Sequence, residues 1–419
     1  MRRAGTWMAA ALLAAAAACG SRHGDEAPAA QPPPATPQVE SRAAVAGEVP
    51  ARAAEPEPTD IPPDECPLQG DDARDLDKLL DAADAKLTAG EYAGAAGCAE
   101  VAADIDIRSV EAWHLRASAL AALERYAEAE LAWTMALAID PDDPETLVAA
   151  AHFYINVLPP KTRESTRVGL EHARRGAAKA ASRRRKDREL RARLSLLQGQ
   201  ALNDLARSDE ALIKINEAIA LQPSMVEARY ERGVALFDLC RFEEAAAAFA
   251  AVLRDAPDDP YAHYHLGLVY ERDGRDADAR AHFEKAWKQP GGEFWPPVDI
   301  SADEFRAEVQ RAITEAKPEV RALLEGVSVE IADLPAREDL LAVDPPFAPT
   351  ILGLFRGLPR GADPVPGAPP RAIVLYRKNL ARAARARDEL NRQIRRTLLH
   401  EIGHVAGLDE DELRRRGLE

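Results

Sequence analysis

His400-Glu401-Ile402-Gly403-His404, close to the end of a 419-residue chain, is the segment whose residue types and spacing can do chemistry. On an α-helix, side chains four apart share a face, so His400 and His404 can aim imidazole nitrogens at one metal ion with Glu401 beside them. Two neutral imidazoles and one oxygen ligand leave Zn2+ an open position for water, whose pKa falls from about 15.7 to about 7 on the metal. A carboxylate next to the first histidine can take the proton of that water and return it to a leaving amine, which is the role expected of Glu401. The chemistry implied is metal-assisted hydrolysis of peptide bonds.

Such a site needs a helix to carry it and a turn to complete it. Leu390, Ile394, Leu398, Ile402 and Val405 recur at helical spacing and predict a packed helix over about 387–406. Gly407, three past His404, can end that helix in a left-handed conformation and turn the chain back toward the metal. The third ligand is expected just beyond. The pattern H-E-x-x-H-x-x-G-x-x-H puts it at Glu410, with Asp409 and Asp411 as alternates. The competing reading is an amphipathic helix with two surface histidines and an acidic tail.

Further segments stand upstream in order: a helix from Asp303-Glu304-Phe305 through Ile313, the strand Val327-Ser328-Val329-Glu330-Ile331, the segment Gly353-Leu354-Phe355-Arg356-Gly357-Leu358-Pro359, and the strand Ile373-Val374-Leu375-Tyr376-Arg377. With the terminal H-E-I-G-H-x-x-G, residues from about 301 to 419 resemble the minimal zincins, metallopeptidases with a matrix-metalloprotease-like domain. The resemblance implies a small α/β zincin domain, bound zinc, and a sheet whose edge strand pairs with an extended peptide. Members usually carry a run of Asp after the glycine and Tyr where this chain has Phe355, so Glu410 is a departure that leaves the third ligand open. The resemblance implies no particular substrate.

Between about 72 and 289 the sequence repeats on a 34-residue frame. The segment 110–143 places Trp113, Ala117, Tyr126, Ala129, Trp133, Ala136 and Pro141 as a tetratricopeptide repeat does, and 226–259 follows with Gly233, Phe242, Ala245, Phe249 and Pro257. Segments starting at 76, 192 and 260 repeat the pattern, and 144–191 is a degenerate sixth, interrupted by Leu158-Pro159-Pro160-Lys161. The resemblance implies an α-solenoid whose concave groove takes a protein or peptide partner, a spacer being the plainer alternative. The expected fold is therefore mainly α: a tetratricopeptide solenoid at 72–289, a linker at 290–300, and an α/β zincin domain at 301–419.

The beginning of the chain bears on location. Met1-Arg2-Arg3 precedes about twelve apolar residues, too few for a membrane span, which needs about twenty, and predicts a secretion signal over 1–19. Ala16-Ala17-Ala18-Cys19-Gly20 resembles a lipobox, which implies lipidation at Cys19; cleavage after Ala18 is the alternative, since Ala16 stands where Leu is more usual. Gly20-Ser21 offers no acid beside the cysteine, favouring the outer membrane of a Gram-negative envelope, facing the periplasm. Residues 20–70, rich in Ala, Pro, Glu and Thr, lack the apolar surface to offset their conformational entropy and read as a disordered tether. A net charge of -16 gives no general attraction to nucleic acid or anionic lipid. Arg183-Arg184-Arg185-Lys186, within a basic stretch over 161–193, is the local exception, read as a solvated helix face or, more sharply, as a contact for an acidic partner or lipid headgroups. In an oxidising compartment Cys66 can reach Cys98, leaving Cys240 behind Phe237 and Phe242; the thiols lack zinc-site spacing. Two functions follow as expectations: an envelope-tethered zinc metallopeptidase whose repeats dock substrate or partner, or a scaffold whose zincin domain is catalytically inactive.

Overall fold

The computed structural model describes residues 65–182, 187–288, 294–363 and 365–416. The expected signal with Cys19, most of the tether, and Arg183-Arg184-Arg185-Lys186 lie outside the described residues. The architecture is a mainly helical repeat array followed by a small α/β unit. The array pairs α1 (Leu76–Ala89) with α2 (Tyr92–Ile105), α3 (Val110–Ala122) with α4 (Tyr126–Ile139), α5 (Pro144–His152) with α6 (Arg163–Ser182), α7 (Arg188–Asp204) with α8 (Ser208–Leu221), α9 (Val226–Asp238) with α10 (Phe242–Asp255), and α11 (Pro260–Arg272) with α12 (Asp276–Trp287).

Local chemistry starts these helices. Ser109, Asp143, Asp187 and Asp259 precede the first helices of four of the six pairs, and each side chain accepts a backbone N–H of the first turn. Pro144 and Pro260 then occupy the first helical position, where the missing N–H costs nothing. Within a pair, a small residue on the first helix meets a bulky one on the second: a Cβ on Gly233 would lie 2.5 Å from Phe249, so only glycine admits this packing. In the degenerate repeat, α5 passes into a π turn over Phe153–Val157 and the prolines end it, yet Ile155 still packs with Leu170 in one core. Cys66 and Cys98 form a disulfide that closes 32 residues of separation and contributes about 3–4 kcal/mol by the loop-closure argument. Cys66 and Leu68 pack with Leu79 and Leu115, so these two residues of the stretch expected as tether belong to the core of the first repeat.

The second unit comprises α13 (Ala302–Glu315), α14 (Pro318–Ala322), β1 (Ser328–Ala332), α15 (Arg337–Leu340), β2 (Gly353–Arg356), β3 (Ala372–Tyr376), α16 (Arg377–Arg382), α17 (Arg387–Val405) and α18 (Glu410–Arg415). Ser301 and Glu304 form a reciprocal capping box at the start of α13. The sheet order is β1-β3-β2, with β1 parallel to β3 and β2 an antiparallel edge. All five residues of β3 are buried, which is why its sequence runs apolar without alternation. Ile373 and Leu375 share a core with Phe305 of α13 and Leu398 of α17. Val374 and Tyr376, on the opposite face, share a core with Phe237 and Tyr264 of the last repeats. The sheet is thus sandwiched between the helix that carries the histidines and the repeat array.

The segment expected as a linker is part of that sandwich over its described residues. Phe294 stacks on Tyr264 with ring centroids 4.4 Å apart, and Trp295 donates its indole N–H to the Ala384 carbonyl at 3.1 Å. Glu271 of α11, its side chain 11 % exposed, pairs with Arg382, and with Lys378 at 3.3 Å, across the junction. A single core spans the last two repeats and one face of the sheet, because neither surface has another apolar partner.

Candidate metal centre

Helix α17 covers Arg387–Val405, and Leu390, Ile394, Leu398, Ile402 and Val405 are all buried in the core beneath it. That fixes which face carries His400, Glu401 and His404, since the apolar stripe turns them into the cleft. His400 Nε2 and His404 Nε2 lie 3.2 Å apart. Glu410 Oε1 is 3.3 Å from His404 Nε2 and 3.7 Å from His400 Nε2. Ligands bound at about 2.0–2.1 Å in a tetrahedron would be separated by about 3.3 Å, so these three atoms already outline one face of it.

Protonation agrees with that use. His404 Nδ1 is 3.1 Å from the Leu408 carbonyl, which can only accept, so Nδ1 keeps its proton, and Nε2, facing His400 and Glu410, donates when the ring is charged and offers a lone pair to a metal when it is neutral. The second carboxylate oxygen of Glu410 is buried with no hydrogen-bond partner, an unpaired acceptor of the kind a bound cation would satisfy. Two neutral imidazoles and a carboxylate suit Zn2+. The residues present fit the metal that the motif implies.

Glu410 reaches this point through the turn after the helix. Gly407 adopts φ +84°, and the N–H groups of Gly407 and Leu408 donate back to the carbonyls of His404 and Gly403. A Cβ on Gly403 would lie 2.2 Å from Leu413, so the glycine within the motif lets α18 dock against α17. The alternates are engaged elsewhere. Asp409 caps α18 by accepting the Glu412 N–H at 2.8 Å, and Asp411 pairs with Arg414 at 2.7 Å on the exposed side. Of the three acids, only Glu410 joins the two histidines in a cluster able to hold a metal, among the described residues.

The carboxyls of Glu401 and Glu410 are pushed in opposite directions. Burial pushes Glu401, 6 % exposed, above the ordinary carboxylate range, against the pull of His400, His404 and the Phe355 N–H. Burial also opposes the charge of Glu410, but hydrogen bonds from both histidines win and hold it at about 2. His404 is disfavoured as a cation by burial, yet contact with Glu410 and the nearby Glu401 raise it above its ordinary value. One acid is held ionised where a cation belongs, while the other retains affinity for a proton.

The cleft has a volume of about 430 Å³. Edge strand β2 forms one wall through Gly353, Leu354 and Phe355, and Phe347, Ala348, Ile351 and Leu352 form another. Gly353 is constrained by chemistry next door: a Cβ there would lie 2.8 Å from Thr397 Cγ2 and 3.0 Å from Glu401 Oε1. Asn379 donates to the carbonyls of Pro349 at 3.0 Å and Ile351 at 2.8 Å, pinning the second wall. Phe347 and Ala348 pack against the core shared with the repeats, so the array braces the cleft from behind. Sequence reasoning reached His400, Glu401, His404 and Glu410 but not Gly353, Asn379 or cleft-lining Gln393 and Arg396. Arg396 was accessible in principle, four residues before His400 and on its face.

Residues 324–418 match the zincin-like metallopeptidase family. Residues 196–260 and 230–293 match one tetratricopeptide repeat model, and 110–143 another. The chain therefore carries a zincin-like metallopeptidase domain at its C-terminal end and tetratricopeptide repeats in its middle. Among solved structures it is similar to PilW, described as a widely conserved type IV pilus biogenesis factor, at 15 % identity over 51 % of this chain and 92 % of that one, with TM-score 0.45. Pseudomonas aeruginosa pilF is similar at 16 % identity over 57 % of this chain and 98 % of that one, TM-score 0.44. MamA is similar at 20 % identity over 41 % and 92 %, TM-score 0.34. No curated protein matches the chain.

Proposed function

We propose that this chain is a zinc-dependent endopeptidase of the bacterial envelope, tethered through Cys19, with repeats that dock substrate or partner proteins. The observation that carries the reading is the convergence of His400 Nε2, His404 Nε2 and Glu410 Oε1 within 4.8 Å of one another, beside a buried Glu401 in an open cleft. His400, His404 and Glu410 would hold Zn2+, which when bound acidifies water and polarises a carbonyl. Glu401 takes a proton from the attacking water as oxygen bonds to the carbonyl carbon, and delivers it to the amide nitrogen as the C–N bond breaks. Its raised proton affinity suits a group that must accept and release a proton in one cycle. Gly353 keeps the β2 backbone against Glu401, and β2, an edge strand lining the cleft, is available to pair with an extended peptide.

The Cys66–Cys98 disulfide accords with an oxidising compartment, and the anchor reading rests on the lipobox-like Ala16-Ala17-Ala18-Cys19-Gly20. The test is zinc content and peptide cleavage by the full chain, with and without Glu401→Gln. Metal bound at one per chain and cleavage lost in the variant are expected. Zinc binding without cleavage by the unaltered chain would leave the scaffold alternative. Fatty-acid labelling in a Gram-negative host, abolished by Cys19→Ala, checks the anchor.

A further inference from the structure

The cleft continues along α17 beyond the histidines, and its charge is uneven. Gln393, Arg396 and Thr397 line it on the N-terminal side of His400, whereas Asp409 and Glu410 line the other end. Arg396 is the sole arginine or lysine among the lining residues. Of the other arginines on α17, Arg387 donates to the Asp299 carbonyl at 3.2 Å, Arg395 pairs with Glu315, and Arg392, unpartnered among the described residues like Arg396, does not line the cleft. Arg396 and Gln393 have no hydrogen-bond or ion-pair partner among the described residues. At the cleft end that carries neither acid, a planar five-donor guanidinium and a side-chain amide stand one helical turn apart with nothing to bind.

We propose that Arg396, with Gln393 beside it, is the specificity determinant of this cleft and recognises a carboxylate on the peptide within about two residues of the bond cleaved. The inference rests on the peptidase reading. Four residues of helix place Arg396 about 6 Å along the axis from His400, the span of about two residues of extended peptide. The carboxylate is supplied by an Asp or Glu side chain or by the terminus of the peptide. Both offer two coplanar oxygens to the guanidinium fork.

The test uses the full chain carrying Glu401→Gln, which binds without cleaving, and capped Ala/Leu nonapeptides in which one Glu, Gln or Lys is moved through each position. A second pair compares a free C-terminus with an amide. Fluorescence anisotropy should show about fivefold tighter binding of Glu over Gln at one or two positions, the scale of a partly exposed charge pair. That ratio should fall to about one with Arg396→Gln and reverse toward Lys peptides with Arg396→Glu, zinc content staying the same in both. Preference for the free acid alone assigns the carboxylate to the terminus; preference for internal Glu assigns it to a side chain. Equal binding of Glu and Gln everywhere with no free-acid preference, a preference that survives Arg396→Gln, or failure to bind any of the peptides would overturn the proposal. Selective binding with no cleavage by the unaltered chain would defeat the peptidase reading and leave the carboxylate site standing.

Discussion

The repeat array and the C-terminal unit use the same material differently. In the array, a helix meets chiefly its sequence neighbours, so Gly233 finds Phe249 within one repeat and each pair restates the same small-against-large contact. In the C-terminal unit, Glu401 depends on Gly353, Glu410 on Gly403, and the sheet behind them on residues as distant as Phe237. The junction joins the two schemes: β3 gives one face to α17 and the other to the array. A periodic scaffold thus completes the core of a non-periodic site, so stability and chemistry should be separable by mutation at the centre and inseparable at the junction.

The largest effect should separate them. Replacing Glu401 with Gln should cut peptide cleavage by about 10²–10⁴-fold while zinc content and helical circular dichroism stay unchanged. His404→Ala should lose zinc as well, measured by atomic absorption on purified protein. A loss of helicity on either change would erase the distinction between site and scaffold.

At the junction the opposite is expected. Glu271→Ala leaves Arg382, 10 % exposed, without its carboxylate and should destabilise the chain by about 3–5 kcal/mol in urea unfolding, with part recovered by adding Arg382→Ala. A fragment of 294–419 uncovers Val374, Tyr376, Leu340 and Ile351, and is expected to aggregate where the full chain stays soluble. A soluble, well-folded fragment would break the argument that the array completes the core.

Within the array, pH is the handle. Burial, against hydrogen bonds from Asn203 and Gln200, raises Glu231 to about 7, and burial raises Asp238 to about 7. Each stays protonated in the fold where the unfolded chain has released its proton. Their stabilisation is therefore complete below about pH 4 and lost as pH rises to 7, by about 3–4 kcal/mol per group. Thermal melts of Glu231→Gln against the unaltered protein, at pH 4.5 and 7.5, should show the smaller pH dependence in the variant. The smallest change brings the comparison back to the site: Gly353→Ala pushes a methyl toward Thr397 and Glu401 and should cost about tenfold in cleavage with zinc retained.

What could be read in advance divides along the same line. The helical spacing of Leu390 to Val405 placed the motif helix almost to its ends, and Gly407 gave the turn, because both follow from local geometry. The 34-residue frame gave the repeats for the same reason. The linker reading failed at Phe294 and Trp295, whose partners Tyr264 and Ala384 are remote in sequence, and the tether reading ran past Cys66, which is held by Cys98.

By itself, then, the sequence marked out the two histidines, the glutamate between them, the repeats, and the likeness to a zincin-like metallopeptidase, since each is written in spacing along one helix or one period. Spacing favoured Glu410 among three adjacent acids but left Asp409 and Asp411 open, and tertiary structure decided which one faces the histidines. Asp409 caps the next helix, Asp411 points to solvent beside Arg414, and Glu410 is carried inward when Leu413 docks on Gly403. The same holds for the sheet: five consecutive apolar residues in β3 announce burial on both sides, but only packing reveals that the second side belongs to the repeats.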